Sequence, residues 1–291
     1  MSGLTIAALG DIHSNYIALE RCLEAIEAAE AKVILFLGDY VSDCACPQKT
    51  MALLRAFREK HDCRFVRGNR EQYLLDHRDH GSDWQRGTGG GSLLYTYNRM
   101  KKEDLDFFES LPVARREAFG DLPAVFFCHG TPDDLRGWAE EQPERAQAWL
   151  DEADAGLYLC AHTHHPRVMP LERGLFVNTG SVGVAAQAGT IEFALLHGEN
   201  GAWRPELVNI PYDVEPVIET FSEDGFFEEA GLWPYLIAAQ LREGGEKSAA
   251  FVGRAQALWQ GDGPIPEAIW QQAAREMNLM EKFGSSCKTV G

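Results

Sequence analysis

The chain has 291 residues, 45% of them hydrophobic, enough to bury a substantial core in one large domain or in a domain with an appendage. Its 44 acidic residues against 27 basic ones give a formal net charge of -17, a field that repels nucleic acid and anionic membranes, so neither is an expected partner. With 7 cysteines in no framework-like spacing and no apolar run of membrane-spanning length, a cytoplasmic protein is expected.

In chain order, five apolar runs read as buried strands of parallel type: Leu4 to Leu9, Val33 to Leu37, Arg64 to Val66, Ala124 to Cys128 and Leu157 to Cys160. Helices fall between them. Tyr16, Leu19, Leu23 and Ile26 share one helical face, and Met51, Leu54 and Phe57 share another. Shorter extended runs follow at Leu175 to Val177, Ile191 to Leu196 and Leu207 to Ile210, and these predict a second, more antiparallel sheet. After Pro211 the pattern becomes helical around Trp233 to Leu241, Ser248 to Gln260 and Pro266 to Phe283, separated by Gly and Pro. The reading is an α/β catalytic domain over residues 1–212 and a helical C-terminal extension over 213–291. A chain ending after Ile210 is then expected to keep its site and lose solubility, while the apolar face of Trp233, Leu236, Ile237 and Leu241 covers the core or serves a homo-oligomer.

Each of the five strands stops at residues able to bind metal: Asp11 and His13, Asp39, Asn69, His129, then His162 and His164. An Asp-x-His pair or a Gly-Asp at a strand end is by itself usually an ordinary turn. The conjunction is what carries weight, because ligand sites in α/β sheets gather at the carboxyl ends of strands, where loops from different strands share one crevice.

The ordered blocks GDIHSN, GDYVSD, GNRE, CHGTP, AHTHHP and NTGSVG, spread over residues 4 to 212, resemble the calcineurin-like metallophosphoesterase superfamily in its small bacterial and archaeal phosphodiesterase branch. The resemblance implies a four-layer α/β/β/α sandwich with a dinuclear centre. Asp11, His13, a bridging Asp39 and His164 would hold one ion, while Asp39, Asn69, His129 and His162 would hold the other. Imidazole and carboxylate donors suit two divalent transition-metal ions, Mn, Fe, Zn, Co or Ni, better than Ca or Mg. A shared water acidified by cations ~3.5 to 4 Å apart would give the attacking hydroxide, with no covalent enzyme intermediate. The catalytic group is then Asp39, Asn69, Arg70 and His129, and the partner is a small phosphorylated substrate.

Several positions depart from the family pattern. Many relatives carry a His after the Gly-Asn of the third block, where this chain has Arg70; a guanidinium is a poor proton donor but a rigid fork for phosphate, so Arg70 is expected to bind substrate beside Asn69, or else to pair with a structural acid. His165 is the remaining candidate for a substrate contact or leaving-group acid. Cys44 and Cys46 make too incomplete a set for a metal and read as loop residues, with Asp43 beside them facing substrate. The stretch Thr88 to Ser92 reads as a rim or a plain turn, and Asn15 and Glu71 as groups that orient the ligands or lie on the surface.

A phosphodiesterase acting on a small substrate is the leading reading, since relatives without the third-block His are often of that kind. A phosphomonoesterase or phosphoprotein phosphatase would use the same metals with a different pocket. A non-catalytic scaffold is the third reading, weakened because 7 residues fill every ligand role.

Overall fold

The computed structural model describes residues 3–84 and 89–279. The chain runs β1 (Leu4–Leu9), α1 (Tyr16–Ala28), β2 (Val33–Phe36), α2 (Pro47–Arg58), β3 (Asp62–Phe65), α3 (Asn69–His80), α4 (Gly89–Tyr97) and α5 (Lys102–Ser110). It continues through β4 (Ala114–Phe119), β5 (Leu122–Cys128), α6 (Pro143–Glu152), β6 (Leu157–Cys160), β7 (Arg167–Pro170), β8 (Leu175–Asn178), β9 (Thr190–Glu199) and β10 (Ala202–Pro211). The last elements are α7 (Glu215–Glu223), α8 (Phe226–Glu229), α9 (Trp233–Glu243), α10 (Lys247–Leu258) and α11 (Glu267–Glu276). Thr88 and Phe283 lie outside the described residues.

Among the described residues the strands form two five-stranded sheets, ordered β10-β9-β1-β2-β3 and β4-β5-β6-β8-β7. The alternation of strand side chains builds the layers. Ile6, Ala8, Leu35 and Leu37 from the first sheet meet Val125, Phe127, Leu157 and Leu159 from the second in one buried cluster. On the opposite face of the first sheet, Ala7, Leu9, Ile34 and Phe36 pack against Leu19, Leu23, Met51, Leu54 and Leu74 from the helices. The outer face of the second sheet buries Cys128, Tyr158 and Phe176 against Ala146 and Leu150 of α6. The result is the four-layer α/β/β/α sandwich.

The five parallel runs therefore do not share one sheet. β1, β2 and β3 pair in the first, β5 and β6 in the second. The expected antiparallel second sheet also divides: β8 joins β6 in parallel, while β9 and β10 form a long hairpin that extends the first sheet beside β1. The hairpin turns at Asn200 and Gly201, both at positive φ, a pair favoured in tight hairpin turns. Strands β4 and β7 escaped the sequence reading because both lie at sheet edges, where Arg115, Arg116 and Arg167 replace an apolar run.

The C-terminal helices do more than extend the chain. Phe221, Phe226, Leu232, Leu236, Ile237 and Phe251 form a separate core that takes in Cys44, Ala45 and Cys46 from the loop after β2. Cys46 Sγ donates to Asp224 at 3.0 Å, so this loop is clamped between the first sheet and the extension.

Candidate metal centre

The loop after β1 lies alongside the loop after β2: the N–H groups of Asp11, His13 and Ser14 donate to the carbonyls of Gly38, Asp39 and Tyr40 at 3.0, 3.0 and 3.1 Å. From the second sheet, the His162 N–H donates to Asp11 Oδ2 at 2.7 Å, and Ala161 N–H to the His129 carbonyl at 2.9 Å. The strand ends of both sheets thus converge on Asp11. The backbone bends sharply to achieve this. Of the 12 non-glycine residues at positive φ among the described residues, 8 belong to these loops: Asp11, His13, Ser14, Asp39, Ser42, Asp43, His162 and His164. Such conformations cost on the order of 1 kcal/mol each and persist where the surroundings dictate them.

Glycines permit the close approaches. A Cβ on Gly68 would collide with the Asp39 carboxylate, and one on Gly183 with the Ile12 carbonyl, which is why NTGSVG can lie against the first loop. The Ser181 hydroxyl and the Gly183 N–H both donate to the Asp11 carbonyl, at 3.0 and 2.9 Å.

The ligand candidates fall into two overlapping groups whose donor atoms lie within 4.8 Å of one another, Asp11 with His13 and His164, and Asp11 with Asp39 and His129. Asn69 Oδ1 reaches the second group, 3.0 Å from His129 Nε2. His162 stands beside it, its ring centroid 5.1 Å from that of His129. All seven predicted ligands therefore come to one place.

The donor set fits divalent cations. His164 Nδ1 is 2.6 Å from the Val184 carbonyl and His129 Nδ1 is 2.8 Å from the Leu37 carbonyl, so each ring donates there and turns the lone pair of Nε2 inward. There His164 Nε2 meets His13 Nε2 at 3.1 Å, and His129 Nε2 meets Asn69 Oδ1 at 3.0 Å. Acceptors facing acceptors need positive charge between them. Asp11 Oδ1 is buried without a hydrogen-bond partner, as expected of a group committed to something other than protein.

The electrostatics agree. Burial opposes the charged His129 ring, but Asp39, Asp11 and Glu71 outweigh it and push it up to about 9, while the same pairing, against burial, holds Asp39 down to about 2. His162 is driven down to about 4 by burial and by the His129 charge. The carboxylates that favour a proton on His129 Nε2 would equally favour a divalent cation there, the two competing for one lone pair.

Glu71 is fully buried, settling its role. Its carboxylate accepts from the N–H groups of Asp39, Tyr40 and Gly68 at 2.9, 2.8 and 2.9 Å, tying the ends of β2 and β3 together. Burial and the neighbouring Asp39 push it up to about 7, and the three donors hold the anion against that pressure. Asn15 instead caps α1 and donates to the Gly183 carbonyl at 2.8 Å and to Tyr212 Oη at 3.0 Å.

Arg70 points into the site. Its backbone N–H donates to Asp39 Oδ1 at 2.8 Å, its guanidinium donates to Asp43 Oδ2 at 2.9 Å, and its buried Nε lies 3.6 Å from Asp39 Oδ2 without a hydrogen bond. Asp43 is a junction that sequence reading undervalued. Besides Arg70, its carboxylate lies 3.2 Å from His13 Nδ1 and accepts from Trp233 Nε1 at 2.8 Å, while its N–H donates to Ser92 Oγ at 2.9 Å. His165 sits further out, its Nε2 2.9 Å from Glu246 Oε1.

Beside the ligands opens a cavity of about 640 Å³, lined by Arg70, His162 and His164 on the metal side and by Trp138, Ile237 and Val252 opposite. No local motif marks Trp138, Arg136 or the C-terminal helices as part of the site; only the tertiary fold brings them there.

The Calcineurin-like phosphoesterase superfamily domain matches residues 4–201. An uncharacterized protein of Methanocaldococcus jannaschii, MJ0912, is 30% identical over 177 residues, 61% of this chain and 69% of that protein. The hypothetical protein PH1004 of Pyrococcus horikoshii shares the fold with a TM-score of 0.71 at 20% identity, over 84% of this chain and all 100% of that one. A metallophosphoesterase from Sphaerobacter thermophilus superposes with a TM-score of 0.58 at 22% identity, over 76% of this chain and 95% of that one. With the matched region running from β1 through β9 and holding every candidate ligand, the chain belongs to the calcineurin-like phosphoesterase superfamily, a family of metal-dependent phosphoester hydrolysis.

Proposed function

We propose that the protein hydrolyses a small phosphodiester at a centre of two divalent transition-metal ions. The carrying observation is the pair of ligand groups drawn from both sheets, Asp11 with His13 and His164 and Asp11 with Asp39 and His129, with imidazole lone pairs turned inward and the buried Asp11 Oδ1 unpartnered between them. Asp11, His13, Asp39 and His164 would hold one ion and Asp39, Asn69, His129 and His162 the other. When bound, two such ions acidify a water for in-line attack and neutralise the phosphoryl oxygens.

The chain's own residues supply the rest. Glu71 fixes the Asp39 backbone, and the Leu37 and Val184 carbonyls fix the His129 and His164 rings, so little reorganisation accompanies the reaction. Arg70, steadied by Asp43, turns its free donors to a phosphate oxygen. His165 is engaged with Glu246, so protonation of the leaving oxygen falls to solvent and acidic leaving groups are favoured. A diester suits this arrangement because the adjoining cavity has room for a second ester group, which a monoester does not carry.

The test is hydrolysis of bis(p-nitrophenyl) phosphate against p-nitrophenyl phosphate with added manganese, with Asp39→Asn as control. Diester turnover should dominate and fall by at least about a hundredfold in the variant, as for loss of a principal electrostatic group. Undiminished activity in Asp39→Asn refutes the site, and monoester preference refutes the diesterase reading.

A further inference from the structure

We propose that the C-terminal helices form an apolar subsite of the same centre, which selects phosphodiesters carrying an aromatic ester group next to the reacting phosphorus. The inference rests on the diesterase reading and names its substrate class. The family model matches residues 4–201, whereas the wall facing the ligands comes from α9 and α10, outside that range.

Three observations carry it. First, apolar side chains make up much of the wall: Trp233, Ile237, Ala249 and Val252 line it between the polar Gln240, Ser248 and Gln256, with Trp138 contributed by the second sheet's loops. Trp138 remains 40% exposed, a large aromatic surface left without cover at the mouth. Its ring and the apolar part of the helix wall line one concavity, the form that small-molecule sites take.

Second, the wall is fastened to the ligands rather than merely near them. Trp233 Nε1 donates to Asp43, the partner of Arg70, at 2.8 Å. Gln240 Nε2 donates at 3.3 Å to the Val184 carbonyl that also holds His164. The position of α9 is therefore set by the same residues that orient a metal ligand and the phosphate fork.

Third, the size is right. About 640 Å³ accommodates a ring and its phosphoryl group, within the range of small-molecule sites and far short of a groove for a folded partner. Arg70 and Arg136 lie on the cavity surface, so an anionic phosphate and a neutral ring find their respective partners in one space.

The experiment measures binding and turnover separately in the manganese-loaded protein. Isothermal titration compares phenylphosphonate with methylphosphonate, which share the anion and differ only in the ring. Phenylphosphonate should bind about tenfold or more tightly, the effect of removing a ring's apolar surface from water. Turnover compares p-nitrophenyl phenyl phosphate with p-nitrophenyl methyl phosphate, and kcat/KM should favour the phenyl ester similarly.

Val252→Trp, which fills the cavity, should bring both ratios towards one. Gly253→Leu offers a second probe, because a Cβ there meets no atom within 4 Å and a helical Gly gains stability on replacement, so a folding defect is not expected. Equal binding of the two phosphonates, or ratios unmoved by both variants, overturns the subsite. If neither diester turns over while the phosphonate difference persists and collapses in Val252→Trp, the diesterase reading fails and the aromatic subsite stands.

Discussion

The two ends of the site are built on opposite principles. On the sheet side, Asp11, His13, Asp39, His162 and His164 sit on short loops at positive φ, held by buried charges and main-chain hydrogen bonds. On the helix side, the wall is ordinary apolar packing on regular α-helix, with Ile237 and Ala238 continuing a conventional core. Reactive geometry tolerates little displacement and is invested in strained backbone; shape selection tolerates more and is left to side chains that can be exchanged without disturbing the ligands.

The sharpest way to break this contrast is to remove the helices. The sequence suggests that a chain ending after Ile210 keeps its site, but the contacts argue for the opposite. The loop from Asp43 to Cys46 buries itself against the C-terminal core, and Asn15 donates to Tyr212. Truncation should therefore cost solubility and also weaken manganese affinity by at least about tenfold, as for loss of groups that orient ligands. Titration of the truncated chain with manganese checks this, and unchanged affinity would show the two regions to be independent.

A smaller perturbation on the sheet side is Glu71→Gln. One amide N–H would face a backbone N–H, leaving a buried donor unpaired and freeing the Asp39 loop. Metal affinity or turnover should drop roughly 10- to 100-fold, with a lower unfolding midpoint. An inert variant would remove Glu71 from the account of how Asp39 is held.

Glu192, on β9 against Ser181, tests the same region through pH. Burial pushes its carboxyl up to about 7, against a modest counter-effect from the Ser181 N–H and the His164 charge. The folded state therefore binds this proton more tightly than the unfolded chain does. Its contribution is fully present below the ordinary carboxyl range and is lost as pH rises to about 7, on the order of 2 kcal/mol at most. Denaturant melts between pH 4.5 and 7.5 should show that slope in the parent and a flatter one in Glu192→Gln.

The mildest probe is Trp233→Phe, which keeps the wall apolar and removes one donor from Asp43. A rise in KM of a few-fold with kcat nearly constant is expected, because Arg70 loses part of its steadying while the ligands keep theirs. A selective fall in kcat would move Trp233 from the binding wall to the reacting centre.

The candidate ligands could be picked out together because each follows a strand, visible as an apolar run that stops. Asp11, Asp39 or His129 alone would have read as an ordinary turn residue, and their conjunction is what drew them together. Glu71 was ambiguous because a Glu two residues into a helix is usually exposed; only the bend of the Asp39 loop, coming from another strand, turns it into a buried acceptor. Asp43 and Trp233 lie 190 residues apart, and nothing local in either announces the other. The two-sheet layering was likewise hidden in the five parallel runs, since burial on both faces looks alike whether strands share a sheet or face one across a core. What composition could give, a chain without a membrane-crossing helix among its described residues, the structure matches.

The ligands are divided between the sheets, Asp11, His13, Asp39 and Asn69 from one and His129, His162 and His164 from the other, with the apolar seam of Leu35, Phe127 and Leu159 between the layers. The seam acts as a gauge. If the layers slid past each other by an ångström, one half of the candidate ligand set would shift against the other, so the tight fit of side chains deep in the sandwich sets the spacing between the two halves.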